Sequence, residues 1–183
     1  GGGESLAKAQ TPVILSTGPS VALLSFYHRP GEGKEPRSGP AVALMDEDAL
    51  EAVRQAHSEH DAVIVTVHWV GEFARKPRPV LVRWAHDLVR AGADAVIGHG
   101  PHVPGPMEIV QAPDGRQAVV AYSLGNLLSN MGWEVYPGKS LEPGRDSAQR
   151  REAREEVLAV LRFERADGQQ TLSGFALVPM WLM

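Results

Sequence analysis

Apolar and polar positions follow two rhythms along the chain, and the switches between them mark the elements. Two short apolar runs, Val13-Ile14-Leu15 and Val21-Ala22-Leu23-Leu24-Ser25-Phe26-Tyr27, flank the turn-forming Thr17-Gly18-Pro19-Ser20 and predict a β-hairpin. Over residues 46–58 the period becomes helical: Leu50, Val53 and Ala56 share a face, and Asp48 with Glu51 has capping-box spacing. Asp61-Ala62-Val63-Ile64-Val65-Thr66-Val67 is then an almost unbroken apolar, largely β-branched run, the pattern of a strand covered on both faces in a parallel sheet. Pro77 and Pro79 suit a helix entrance, Leu81, Trp84, Ala85, Leu88 and Ala91 repeat at helical spacing, and Gly92 supplies the stop. Asp94-Ala95-Val96-Ile97 reads as a second short buried strand ending at Gly98, so residues 61–97 form a β-α-β unit with parallel strands and a right-handed connection.

Further on, residues 107–111 and 117–124 flank Pro113-Asp114-Gly115-Arg116 and predict another hairpin. Two final strands are expected at 157–163 and 172–178, around Ala166-Asp167-Gly168. Residues 29–40 are rich in glycine, proline and charge, and 132–155 in glycine and charge; the first reads as an exposed loop, the second as a solvated loop or short helix. There is no internal repeat and no sign of a second core, which predicts a single α/β domain over 1–183.

Composition narrows the function classes. At 183 residues with 43% hydrophobic content, the chain can bury a sizeable core. Its net charge is −4, with lysine and arginine spread along the chain, so it lacks the basic stripe that grips a phosphate backbone, and nucleic acid is not an expected partner. Without cysteine there is no disulfide framework, thiol catalysis or cysteine-type zinc site. No apolar run approaches the roughly 18 residues that span a bilayer, and Gly1-Gly2-Gly3-Glu4 has no signal-peptide character, so the chain as it stands reads as soluble.

Three of the seven histidines lie where the topology forces convergence. His68 follows one parallel strand, His99 and His102 follow the other, and the carboxyl edge of an open α/β sheet is where ligands bind. Imidazole suits zinc, iron, manganese and copper, and a His-x-x-His spacing across a proline-containing turn can bring two rings to one ion, so these residues are the expected metal ligands. His28, His57, His60 and His86 read as structural, the second and third at a helix end and the last on the solvent face of the crossover helix. Glu72 has three open readings: an acceptor holding an imidazole, a general acid/base, or an exposed loop carboxylate. Asn126 follows the expected strand and faces either the site or an ordinary turn, and Trp69 is either a pocket wall or core.

These same residues carry a resemblance. His68-Trp69-Val70-Gly71-Glu72, then Ala91-Gly92-Ala93-Asp94-Ala95-Val96-Ile97-Gly98-His99-Gly100-Pro101-His102-Val103, then Met107-Glu108-Ile109 and Tyr122-Ser123-Leu124-Gly125-Asn126 resemble, in order, the motifs of the CapA family of poly-γ-glutamate capsule biosynthesis. That family's fold is similar to the calcineurin-like metallophosphoesterases. The resemblance implies a metallophosphatase-like layered α/β sandwich with mixed sheets, seen here as its C-terminal half. It implies that His68, His99 and His102 are metal ligands; the metal expected is a divalent transition ion (Mn, Zn or Fe), Glu72 and His102 are the candidate catalytic residues, and Trp69, Glu108 and Asn126 are the other candidate pocket residues. Where Val70 stands the family more often has glycine, and many members carry a histidine where this chain has Gly100.

The family's N-terminal half, with a Gly-Asp metal motif and an Asn-x-x-His segment, has no counterpart in the chain. The domain is therefore expected to be incomplete at its N-terminus, either shortened in its gene or completed by an N-terminal half supplied elsewhere. The implied activity is metal-dependent hydrolysis of a phosphoester or of a γ-glutamyl amide in an anionic polymer. The alternatives are a non-catalytic, polymer-binding part of a capsule-synthesis membrane complex, or an inactive relic. The resemblance implies the extracytoplasmic side of the cell envelope; a cytoplasmic location is the alternative.

Overall fold

A computed structural model describes residues 2–15, 18–28, 41–127, 152–166 and 169–181. The expected loop at 29–40 and residues 132–151 of the later one lie outside the described residues. The first elements are β1 (Gly2–Gly3), α1 (Leu6–Gln10), β2 (Val13–Leu15), β3 (Val21–Tyr27) and β4 (Ala41–Val42). They are followed by α2 (Glu47–Glu59), β5 (Ala62–His68), α3 (Pro79–Ala91), β6 (Ala95–His99), β7 (Met107–Gln111) and β8 (Gln117–Ala121). A long antiparallel hairpin, β9 (Glu155–Ala166) and β10 (Gln169–Trp181), closes the described chain.

Six strands form one mixed sheet in the order β2-β3-β5-β6-β8-β7. The inner four, β3, β5, β6 and β8, are mutually parallel, and the hairpin partners β2 and β7 run antiparallel at the two edges. The architecture is layered α/β. Both expected hairpins and the β-α-β unit are present, and a second such unit, β3-α2-β5, precedes the first.

The apolar rhythm explains the layers. Ala22, Leu24 and Phe26 alternate toward one face of β3, and Val63, Val65 and Val67 toward the same face of β5. There they pack with Leu50, Val53 and Ala56 of α2 and with Leu81, Ala85, Leu88 and Val89 of α3. The opposite face holds a smaller cluster, Ala95, Ile97 and Ala121, covered in part by Met107 of β7, Leu124 after β8 and Leu161 of the terminal hairpin. Coverage on that side is uneven: Ile64 and Thr66 of β5 stay partly exposed, so the expectation of a strand buried on both faces holds fully for β6 alone of the two in the unit.

Local chemistry sets the boundaries. The N-cap of α2 is Asp46, two residues earlier than the expected Asp48, because its carboxylate accepts from the Ala49 amide at 3.1 Å. Glu47 and Asp48 instead fill the first turn, where negative charge suits the helix dipole. Pro79 opens α3, whose end is closed by Gly92 at φ 123°. The final strands start and end outside the expected 157–163 and 172–178, and α1, too short for a periodic signal, was not expected.

Two aspartates pin the sheet at its amino-terminal edge. The carboxylate of Asp61 accepts from Ser20 N (2.8 Å) and Ser20 Oγ (3.0 Å), locking β5 to β3. Asp94 accepts from Val63 N at 2.8 Å and from Arg116 Nη1 at 2.8 Å, locking β6 to β5. A one-residue slip would move every side chain to the wrong face, so these pins determine which residues meet at the far edge.

Candidate metal centre

The far edge carries the candidate chemistry. Tyr27, His68 and His99 are level with one another across β3, β5 and β6, as the pairs Tyr27↔His68 and His68↔His99 show. Neighbouring strands lie about 4.8 Å apart, so side chains at one level and on one face are in contact range. The Tyr27 ring stacks on the His68 ring at 5.5 Å and 21°. Gly100 then lets the chain turn beneath His68. Its φ is 107°, and a β-carbon there would stand 2.1 Å from the Trp69 carbonyl oxygen and 3.2 Å from His68 Nε2. As this chain is folded, the position has no room for a side chain and its backbone conformation favours glycine.

His99 is held below the ordinary imidazole pKa, first by burial and then by the neighbouring His68. Both causes favour the neutral ring, the form in which imidazole offers a lone pair. His102 sits in the loop after β6 at φ 64°, its Nδ1 2.8 Å from Asn126 Oδ1 and its ring 6.3 Å from that of Phe73. Among the described residues no three His, Asp or Glu side chains gather closely enough to hold a metal ion together. The sheet thus brings His68 and His99 side by side and leaves His102 beyond them on the same edge, held by a different neighbour.

The other expected site residues separate clearly. Trp69 is 1% exposed and belongs to the main core, while its backbone N–H continues the ladder to the His99 carbonyl at 2.7 Å. It is a core residue that also lines a small cavity with Leu81, Pro101 and Tyr122, so its two open readings are not exclusive. Glu72 is exposed in the turn after Trp69 and makes no hydrogen bond or ion pair among the described residues. Glu108 lies on the helix side, accepting from Tyr122 Oη at 2.7 Å and meeting His86 Nε2 at 2.9 Å. Burial pushes its carboxyl up, but those two partners outweigh it and hold the group below the usual range. Glu108 is a brace between α3 and the β7–β8 hairpin. His86 is accordingly half-buried against it rather than on the solvent face, because the hairpin curls over that flank of α3.

His28 was not expected at this edge. It follows β3, donates its backbone N–H to the His68 carbonyl at 3.0 Å, and is 8% exposed against Trp69. The signal was available, since a strand at 21–27, a helix at 46–58 and a strand at 61–67 spell a β-α-β unit that brings residues 27 and 28 to the same rim. Burial, then the charge of Arg78, lowers the His28 pKa. The folded state therefore binds the proton less readily than the unfolded chain, and stability rises with pH through this window. Chemical denaturation should show stability falling as pH drops below 6.5, the ordinary imidazole value, toward the lower folded pKa. His28→Gln should reduce that slope and leave the part that the likewise lowered His99 contributes; an unchanged slope would refute the assignment.

Residues 1–131 match the family described as bacterial capsule synthesis protein PGA_cap. The chain belongs to that family. Within it, the chain is 31% identical to the PGA biosynthesis protein CapA of Bacillus subtilis (strain 168) over 137 residues, 73% of this chain and 35% of that protein. It is 30% identical to the capsule biosynthesis protein CapA of Bacillus anthracis over 129 residues, 70% of this chain and 25% of that one. A probable polyglutamine synthesis accessory protein of Mycobacterium tuberculosis is 31% identical over 91 residues, 50% of this chain and 23% of its own. The aligned part thus spans about a third or less of these relatives. In this PGA_cap chain His68, His99, His102 and Asn126 all fall inside the matched span, whereas the β9–β10 hairpin lies past it. Among the described residues no helix is long and apolar enough to cross a membrane.

Proposed function

We propose that this PGA_cap chain supplies the histidine wall of a divalent-metal site in a protein of poly-γ-glutamate capsule synthesis, acting at the cell envelope. The observation that carries the reading is the level row Tyr27–His68–His99, in which a stacked ring orients one imidazole and burial keeps the next neutral. The names of the Bacillus relatives supply the polymer.

The donor set fits such a group in part. His68 and His99 would hold the ion and His102 would approach from the adjoining loop, but closing the shell needs further donors, because no trio forms among the described residues. A bound divalent ion would supply Lewis-acid polarisation and an acidified water. The chain's own contribution is to orient His68, keep His99 unprotonated and shape the rim through Gly100. The substrate would be a phosphoester or a γ-glutamyl amide. Glu72 is exposed and no described group holds it against the histidines, so the rim has no positioned proton carrier; that favours a second reading, in which the rim binds an anionic chain without turning it over.

Equilibrium dialysis against Mn2+ or Zn2+ should show a single weakly held ion per chain, lost in both His68→Ala and His99→Ala. Two tightly held ions, or uptake unaffected by either change, would overturn the reading. Incubation with a model phosphodiester and with poly-γ-glutamate then separates the two versions. Turnover abolished by His99→Ala supports the hydrolase, and binding without turnover supports the polymer-binding component.

A further inference from the structure

Asn126 occupies a position that the proposed function leaves without a task. Its side chain has two chemically different ends, and the surroundings decide which is which. One end lies 3.2 Å from the His102 carbonyl oxygen and 2.9 Å from the Ala153 carbonyl oxygen. Carbonyl oxygens only accept, so the end facing both of them must be the NH2 group, and the other end must be the carbonyl oxygen. That oxygen is 2.8 Å from His102 Nδ1. An oxygen acceptor requires a donor opposite it. The proton of a neutral His102 ring must therefore sit on Nδ1, and Nε2 must carry the lone pair.

We infer that Asn126 is a positioning residue: it locks His102 in the Nδ1–H tautomer and so presents Nε2 as an electron-pair donor at the sheet edge. In water a free neutral imidazole of histidine favours the opposite tautomer, so the preference has to be imposed by the fold. The loop is built to impose it. Gly125 has φ 84°, and a β-carbon there would lie 2.5 Å from the Glu155 carbonyl oxygen, so the backbone seats directly against the start of β9. Gly125 bridges Glu156, and Val157 N donates to the Leu124 carbonyl at 2.8 Å. Ala153, which supplies the second carbonyl, is fully buried just before that strand. The segment leading into the terminal hairpin therefore sets the proton position on a histidine far from it in sequence. That Nε2 faces a metal rests on the proposed function; the tautomer itself does not.

The test uses the full chain without metal, labelled with 15N-histidine, at about pH 8, above the ordinary imidazole range. Long-range proton–nitrogen correlation should show a protonated Nδ1 and an unprotonated Nε2 for His102, assigned by the signals lost in His102→Gln. Asn126→Ala should move the ring to the Nε2–H form. Asn126→Asp keeps an acceptor toward Nδ1 while facing two carbonyls with a carboxylate, so it should lose stability yet retain the Nδ1–H pattern. A merely structural asparagine would change stability in both variants and the tautomer in neither. An Nε2–H ring in the native chain, or an unchanged ring in Asn126→Ala, overturns the inference; should Asn126→Ala not fold, the native spectrum and Asn126→Asp decide it. Adding Zn2+ to the native chain separates the two claims. A shifted Nε2 supports the metal reading, and an unmoved Nε2 beside a native Nδ1–H sinks that reading alone.

Discussion

Arg116→Ala should lower the unfolding free energy by about 3 kcal/mol, near the lower end of the cost of orphaning a buried charge. Arg116 donates to Asp94 at 2.8 Å, with the two side chains only 13% and 4% exposed. Removing the guanidinium leaves the buried Asp94 carboxylate with the Val63 amide as its one remaining side-chain hydrogen bond among the described residues. The same guanidinium reaches the carbonyls of Val89, Gly92 and Ala93, each at 3.5 Å, around the end of α3, where a cation offsets the helix dipole. Thermal unfolding should shift down by about 6–12 °C for a chain of this size. Asp94→Asn should cost less, because Arg116 keeps the α3 carbonyls and its 2.7 Å contact with Asp114, and an amide oxygen can still accept from Val63. If the two substitutions cost the same, or if Arg116→Ala is neutral, the Asp94 pin is not what holds β6 to β5. The consequence would extend to function, since that pin sets the register that brings His68 level with His99.

The elements legible in the sequence are those whose signal is local and repeated. The β-branched run at 61–67 and the helical spacing of Leu81, Ala85 and Leu88 yield the β-α-β unit, and direction alone then places His68 and His99 on one edge. What was not legible depends on partners distant in sequence. Asp94 reads as a polar strand start until Arg116 is seen beside it, and Glu108 reads as a rim carboxylate until Tyr122 and His86 enclose it. The position of His102 is the clearest case. Its spacing from His99 permits convergence, but its φ of 64° and the Asn126 amide decide where the ring goes, and neither is encoded in the three residues around it. Trp69 reads from sequence as either pocket wall or core, and it is the pleat, one residue out of phase with His68, that buries it.

That phase is also why Gly98→Ala should be among the most damaging single-methyl additions in the chain. Gly98 lies inside β6, and a β-carbon there would stand 2.0 Å from Trp69 Nε1 and 2.2 Å from the Tyr122 carbonyl oxygen. Neither neighbour can yield cheaply. Trp69 is 1% exposed and closely packed, and the Tyr122 oxygen is backbone at the end of β8. Overpacking of this kind costs about 3 kcal/mol. Gly174→Ala is the internal control, because nothing lies within 4 Å of its would-be β-carbon; it should be neutral within about 0.5 kcal/mol, as surface changes usually are. Denaturant titration of the two variants side by side measures the difference. The functional arm is sharper still. Trp69 donates its backbone N–H to the His99 carbonyl at 2.7 Å, so pushing the indole away displaces the two strand ends against each other. Gly98→Ala should therefore lose metal uptake even at temperatures where it stays folded, while Gly174→Ala retains it. Equal stability of the two variants, or full metal uptake by a folded Gly98→Ala, would show that the packing of Trp69 is independent of the histidine row.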